Sequence, residues 1–297
     1  MTQSQTRKKF LQDMTLRGFS RQSIITYEDH CKRFLDFTKT RDTSKLTERE
    51  FRSYLLHLSQ REDLAPATIN LSNSVIRFLY EVTLEKDINY KRVPHAKEPV
   101  KRPIVLTVEE LSAFFEQVER PKHFAFFLNL YGSGLRISEM LALRTDDIDA
   151  KRMLLRVRCG KGNKERYAPL TEAGLEAFRH YWRLYRPVNT NNFVFPDYTR
   201  TRTMTRCAFE SSFKKILALG GICKRVGPHV LRHCLATHAL QSGTDLVTLK
   251  EMLGHASLSS TAEYVHLSLV DKSNSRSPEE LTAEFWAGYR KRNFIHG

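Results

Sequence analysis

Apolar residues recur at helical spacing through the first third of the chain. Ile24, Tyr27, Cys31 and Phe34 fall three and four residues apart behind Ser20, which is placed to cap the helix carrying them. Thr47 and Glu50 form a capping box ahead of Phe51, Leu55 and Leu58. Pro66 suits a first helical turn, where its missing N–H costs little, and Ile69, Val75, Ile76 and Leu79 then share one side. Four short helices predict a small packed domain over residues 1–88, with Tyr27 and its phenylalanines as core rather than as base-stacking groups. The periodicity dissolves in NYKRVPHAKEPVKRP (89–103), whose prolines suit neither helix nor strand. An extended basic interdomain linker over residues 89–104 is expected there.

Thr107 and Glu110 form a second capping box that opens a larger domain, residues 105–297. Phe124 to Tyr131 is an apolar helical segment ending at Gly-Ser-Gly. The alternating RMLLRVR (152–158), the turn CGKGNK and RYAPL (166–170) predict a β-hairpin, with a third short strand at Phe193–Phe195. Leu231, Leu235, Leu240, Leu246, Leu249, Met252 and Leu253 line two successive helices separated by QSGTD. Ser259 or Ser260 is placed to cap the next. Leu281, Phe285, Trp286 and Tyr289 gather on a last helix, from Pro278 to Arg292, able to dock on a neighbouring protomer or to fold back on its own core. The fold class is mainly α with a small antiparallel sheet, and the absence of a βαβ series argues against a doubly wound nucleotide-binding fold.

A length of 297 residues, 41% of them hydrophobic, suits two cored domains. Charge adds more. The net +15 is uneven, and residues 151–250 alone hold 19 basic against 6 acidic side chains. Such a concentration implies a polyanion held against one part of the surface, a solvated basic face being the plain alternative. The five cysteines form no CxxC pair and suggest neither a zinc ribbon nor a disulfide scaffold. The N-terminus lacks an apolar signal region and no stretch approaches a membrane span, so a cytoplasmic, nucleoid-associated protein is expected, with DNA rather than a membrane as its polyanion.

Several polar residues could carry chemistry. Arg136, in GLRISEM, has Glu139 three residues on to orient or neutralise it, and would equally suit a helix-start ion pair. Lys161 sits at the hairpin tip between Gly160 and Gly162, with Lys164 and Arg166 as competitors; a basic tip is more often a phosphate contact. No Walker A loop is present, so ATP binding is not indicated. In GPHVLRH, His229 and Arg232 share a face one turn apart near a helix start, where an anion is favoured. His233 lies four residues from His229, but position 230 is Val rather than the Glu of HExxH and no third ligand is apparent, which counts against zinc. His255 follows a helix end, where the helix dipole would also explain it. Tyr264, among Ala262, Val265 and Leu267, would pass alone for a core residue.

Together these six residues resemble the motif set of the tyrosine recombinases, the phage-integrase family, and more closely its Xer and element-borne integrase branch. The G-L-R-x-S-E setting carries Arg136, the hairpin lysine is Lys161, HxLRH carries His229 and Arg232, LGH carries His255, and Tyr264 follows nine residues on. The likeness covers essentially the whole chain. It implies a small SAM-like core-binding domain before a mostly helical catalytic domain. Cys234 departs from the Ser or Thr common after this motif. The 33 residues after Tyr264 depart from the shorter tail of host Xer proteins, favouring a mobile element's integrase or transposase.

The resemblance also implies a mechanism. Tyr264 attacks phosphorus, Arg136, Arg232 and His255 hold the non-bridging oxygens, His229 accepts the tyrosine proton or contacts phosphate, and Lys161 protonates the leaving 5′ oxygen. A 3′-phosphotyrosyl intermediate would retain the bond energy, so no cofactor, metal or ATP is expected. The expected partners are double-stranded DNA with inverted-repeat-like core sites and three further copies of the chain, in a homotetramer on paired DNA; a monomer is compatible with the free state. Lys91, Arg92, Lys101, Arg102, Lys164 and Arg166 are candidate DNA contacts. A host Xer-type chromosome or plasmid dimer resolvase, a non-catalytic DNA-binding relative, a type IB topoisomerase and a telomere resolvase remain as alternatives. A metal-dependent nuclease would need an acidic cluster that residues 151–250 lack.

Overall fold

The computed structural model describes residues 1–61, 63–99, 103–158, 165–187, 190–266 and 276–294. They divide into two compact units, Met1–Lys101 and Arg102–Gly297.

The first unit holds α1 (Gln3–Leu16), α2 (Arg21–Thr38), α3 (Glu48–Ser59) and α4 (Pro66–Phe78), the last running into a π-turn, Leu79–Thr83. The sequence signals that start these helices are realised. Ser20 accepts the Ser23 N–H, and the Glu50 carboxylate accepts the Thr47 N–H at 2.8 Å, so two donors that a helix start leaves open are satisfied. Phe10, Phe34, Phe51, Ile76 and Tyr80 form the centre of the core, with Phe51 stacked on Tyr80. Tyr27 packs edge-on against Phe19 and Phe78, as core. The start of the basic segment is held down on α4. Asn73 donates to the carbonyls of Val93 and Pro94, Arg77 donates to that of Val93 at 2.6 Å, and Asn70 pairs with the Ala96 backbone in both directions. Val93 is fully buried.

The second unit is built on α6 (Pro121–Ser133), whose residues from Phe124 to Ser133 are all buried. A helix apolar all round needs neighbours on every side. They are α8 (Glu172–Tyr185), α10 (His229–Gln241) and the last helix, α13 (Pro278–Phe294). Around them lie α5 (Val108–Glu116), α7 (Ile137–Ala142), α9 (Arg206–Leu219), α11 (Leu246–Leu253) and the short α12 (Ser259–Ala262). The antiparallel sheet has the order β1 (Ile148–Asp149), β2 (Leu154–Val157), β3 (Arg166–Pro169), with Leu154 opposite Pro169 and Val157 opposite Arg166.

Two expectations change. The third strand is Ile148–Asp149, paired with Leu155 and Leu154, while Phe193 makes only an isolated bridge to Arg144. Leu258 rather than Ser259 or Ser260 occupies the position before α12. The last helix folds back on its own unit. Phe285 stacks on Phe115, Tyr289 stacks on Phe124, and the Tyr289 hydroxyl donates to the Glu119 carbonyl at 3.1 Å. No helix among the described residues is long and apolar enough to cross a membrane.

Candidate active site

Helix α6 ends at Gly134, which takes a left-handed φ of +63° that a side chain would resist; a Cβ there would also lie 2.4 Å from Leu235. Two residues later Arg136 starts α7. Its backbone N–H donates to Glu139 Oε2 at 2.8 Å and its Nη1 to Oε1 at 2.9 Å, so one carboxylate caps the helix and steers the guanidinium. Arg232, on α10, is 1% exposed. Its Nη1 donates to the Gly134 carbonyl at 2.5 Å and its Nη2 to the Leu253 carbonyl at 2.7 Å. Both carbonyls lie at helix C-termini, where backbone dipoles leave partial negative charge, and this compensates a cation drawn out of water. Burial and then Arg136 press its pKa down to about 10, which leaves it charged at neutral pH.

Helix α11 ends at Gly254, again left-handed, and His255 follows. His255 Nδ1 lies 2.9 Å from the Thr261 hydroxyl, and its ring stacks on that of Tyr264 with centroids 6.4 Å apart. Tyr264 is 3% exposed, and its hydroxyl lies 2.8 Å from Nδ1 of His233. His233 in turn meets the exposed His229 edge-on at 4.7 Å. His229 has no side-chain hydrogen bond among the described residues and remains available to a ligand. A cavity of about 290 Å³ beside it is lined by Arg136, Ser138, Arg206, Glu210 and His229.

The electrostatics are those of a pre-charged anion site. Burial first pushes His233 and His255 down to about 4 and lowers His229 as well, with Arg232 and Arg136 adding to the shift of His255 and His229, and His229 and then Arg232 to that of His233. All three imidazoles are therefore neutral at pH 7 beside charged Arg136 and Arg232. Burial raises the Tyr264 phenol, with Arg232 and Arg136 opposing. An arriving phosphate diester would meet fixed guanidinium donors and neutral imidazoles, an arrangement suited to stabilising charge on a phosphorane.

Five of the six expected residues, Arg136, His229, Arg232, His255 and Tyr264, are thus drawn into one set of contacts and fields. Lys161 and Lys164 lie outside the described residues, as do Lys101 and Arg102. Lys91 and Arg92 are exposed on the first unit, Arg92 facing Glu48 at 3.6 Å. Arg166, expected as a DNA contact, is turned inward instead. Its side chain is 13% exposed, Nη2 meets Glu139 Oε2 at 2.7 Å and Nη1 donates to the Met252 carbonyl at 3.0 Å. Only a glycine at 254 leaves room, since a Cβ there would sit 2.3 Å from Arg166 Nε. Arg166 thereby ties β3 to the residues holding Arg136 and preceding His255.

His233 is the residue that sequence reasoning missed. Its four-residue spacing from His229 suggests a metal pair, but the same spacing also puts both rings on one helix face. Among the described residues no group of three His, Cys, Asp or Glu side chains could hold a metal ion.

Residues 105–269 match the model of the phage integrase family, and residues 7–90 that of the phage integrase N-terminal SAM-like domain. The putative integrase/recombinase y4qK of Sinorhizobium fredii is 36% identical over 93% of this chain and 88% of that protein. Tyrosine recombinase XerC of Pediococcus pentosaceus is 31% identical over 87% of this chain and 92% of that protein. The solved Tn1549 transposon integrase, in complex with transposon right end DNA, aligns with a TM-score of 0.70 over 89% of this chain and 94% of that one. At 17% identity that likeness is one of fold alone. With a SAM-like unit ahead of a helical catalytic unit, and a buried tyrosine set among arginines and histidines, this chain belongs to the phage integrase family of tyrosine recombinases, enzymes of DNA strand exchange.

Proposed function

We propose that this protein is the integrase or transposase of a mobile element, and that it cuts and rejoins DNA through a 3′-phosphotyrosyl intermediate. The observation that carries the chemistry is the Tyr264 hydroxyl held at 2.8 Å by His233, in a site charged by Arg136 and the buried Arg232. Arg136 and Arg232 bind the non-bridging oxygens and stabilise the charge that gathers on them. His255, placed beside Thr261, and His229 at the exposed start of α10 add contacts to the same phosphate. Lys161 protonates the leaving 5′ oxygen. The bond energy is stored in the phosphotyrosine and returned when a 5′ hydroxyl attacks it, so neither metal nor ATP enters. Lys91, Arg92, Lys101, Arg102 and Lys164 contact DNA phosphates, and four protomers assemble on two paired duplexes because each duplex is cut twice.

The 36% identity to a putative integrase/recombinase supports the integrase reading. Dimer resolution on a chromosome or plasmid is the second reading, favoured by the likeness to XerC.

The test is a nicked duplex from the ends of the element that carries the gene, incubated in EDTA without nucleotide. A covalent protein–DNA adduct is expected on a denaturing gel, and its loss in Tyr264→Phe with DNA binding retained. Adducts that persist in that variant would remove Tyr264 as the nucleophile. Cleavage confined to a chromosomal dimer-resolution sequence would favour the second reading.

A further inference from the structure

The proton on the attacking phenol must go somewhere, and the histidine of the HxxR pair is not the one that reaches it. The hydroxyl of Tyr264 has one hydrogen-bond partner among the described residues, Nδ1 of His233 at 2.8 Å. His229 meets that imidazole ring to ring, edge-on with centroids 4.7 Å apart. His233 is also held in place: it stands on the buried helix α10, next to the almost fully buried Arg232 and one residue before the buried Cys234.

We propose that His233 is a catalytic residue, the proton acceptor for Tyr264, and that His229 is left for the phosphate. This rests on the strand-transfer reading above. As Tyr264 attacks, its O–H bond breaks and an Nδ1–H bond forms, while the freed oxygen pair makes the new bond to phosphorus. The bond from phosphorus to the 5′ oxygen breaks, that oxygen leaves with the pair, and a separate acid protonates it. His233 ends the step as imidazolium. In the reverse step a 5′ hydroxyl attacks phosphorus and gives its proton back to the conjugate base of that separate acid, while His233 returns its proton to the departing Tyr264 oxygen.

The surroundings make this acceptor conditional on DNA. The charged and titratable groups facing His233 are His229 and Arg232 on its own helix, His255 after α11, and Tyr264 after α12. Burial first, then the neighbouring His229 and Arg232, hold the imidazole at about 4, a poor base. A phosphate diester bound at Arg232 offsets that arginine's share of the shift and raises the affinity for the proton. The base is therefore strengthened by the substrate it serves, and the phenol stays protonated until a phosphate arrives.

The test uses full-length protein and a duplex carrying the element-end site with a 5′-bridging phosphorothiolate at the scissile position. A thiolate leaves without protonation, so its single-turnover cleavage reports activation of the nucleophile and not of the leaving group. His233→Gln and His233→Asn should cleave this duplex about 10²–10⁴-fold more slowly than wild type, a range typical of a lost general base. Their rates should climb about tenfold per pH unit toward the phenol pKa, while wild type stays flat near neutrality. Duplex binding by anisotropy should match wild type in both. Wild-type rate or a wild-type pH profile in either variant overturns the assignment, and recovery by Asn alone reduces His233 to a hydrogen-bonding prop and also overturns it. Adduct formation by Tyr264→Phe on the same duplex would instead defeat the strand-transfer reading, so the two failures are told apart.

Discussion

The two units handle polar groups in opposite ways. Among the described residues the first buries neutral ones only: Thr6, Thr43, Ser72, Asn73, Thr83 and His30, the histidine closed off by a 2.8 Å bond to Ser72. The second buries Arg232 and Asp147, and brings Glu139, Arg166, His233 and His255 partly out of solvent beside them. A buried charge costs far more than a buried hydroxyl unless its partners are fixed beforehand. The second unit meets that condition with helix-end carbonyls and a shared carboxylate. Both units rest on apolar packing, but in the second, part of the stability is also tied to the groups that do chemistry.

The largest expected break in this contrast is Arg232→Ala. It strands the Gly134 and Leu253 carbonyls and removes a phosphate ligand. Cleavage of the element-end duplex should fall at least about 10³-fold, and denaturant unfolding should show a loss of about 2–4 kcal/mol. Arg232→Lys should recover part of the stability and little of the activity, because a compact ammonium lacks the planar fork that spans both carbonyls while presenting donors to a phosphate. In the first unit, Leu35→Ala should cost about 2–4 kcal/mol by the same measurement, with the cleavage rate of pre-bound DNA unchanged. An activity loss as deep as that of Arg232→Ala would erase the contrast.

Acid should act mainly on the second unit. His123, His233 and His255 are each pushed down to about 4, so below the usual imidazole range the unfolded chain binds protons that the folded chain does not. Their contribution is complete above about pH 6.5 and is lost as pH falls toward 4. The melting temperature should therefore drop across that window, and His123→Phe should flatten the drop without altering cleavage at pH 7. The smallest effect is expected at the surface of the first unit, where the Glu85 carboxylate meets Lys9 at 2.8 Å in open solvent. Glu85→Gln should leave the melting temperature within error of wild type.

Much of this was legible along the chain because the signals are local. Capping boxes at Thr47 and Thr107 need only the residue three positions on, and the hairpin needs only alternation about a turn. What escaped is set by distant partners. Ile148–Asp149 becomes a strand because β2 offers it an edge, and a two-residue segment has no periodicity to read. Arg166 looked like a surface cation beside Lys164, and it turns inward because Glu139 and the end of α11 converge on it from 27 and 86 residues away. His233 meets Tyr264 across 31 residues, through the turn that follows Gly254. The motif spacing identified the members of the site, and the fold assigned which of them touch.

Gly134 and Gly254 do more than end two helices. In a library that randomised the site, both positions should act as vetoes: a side chain at 134 collides with Leu235 and Leu253, and one at 254 collides with Arg166. Redesign for a new DNA target would then have to leave these two backbone corners alone and work outward from them, much as a lens is recut without moving its mount.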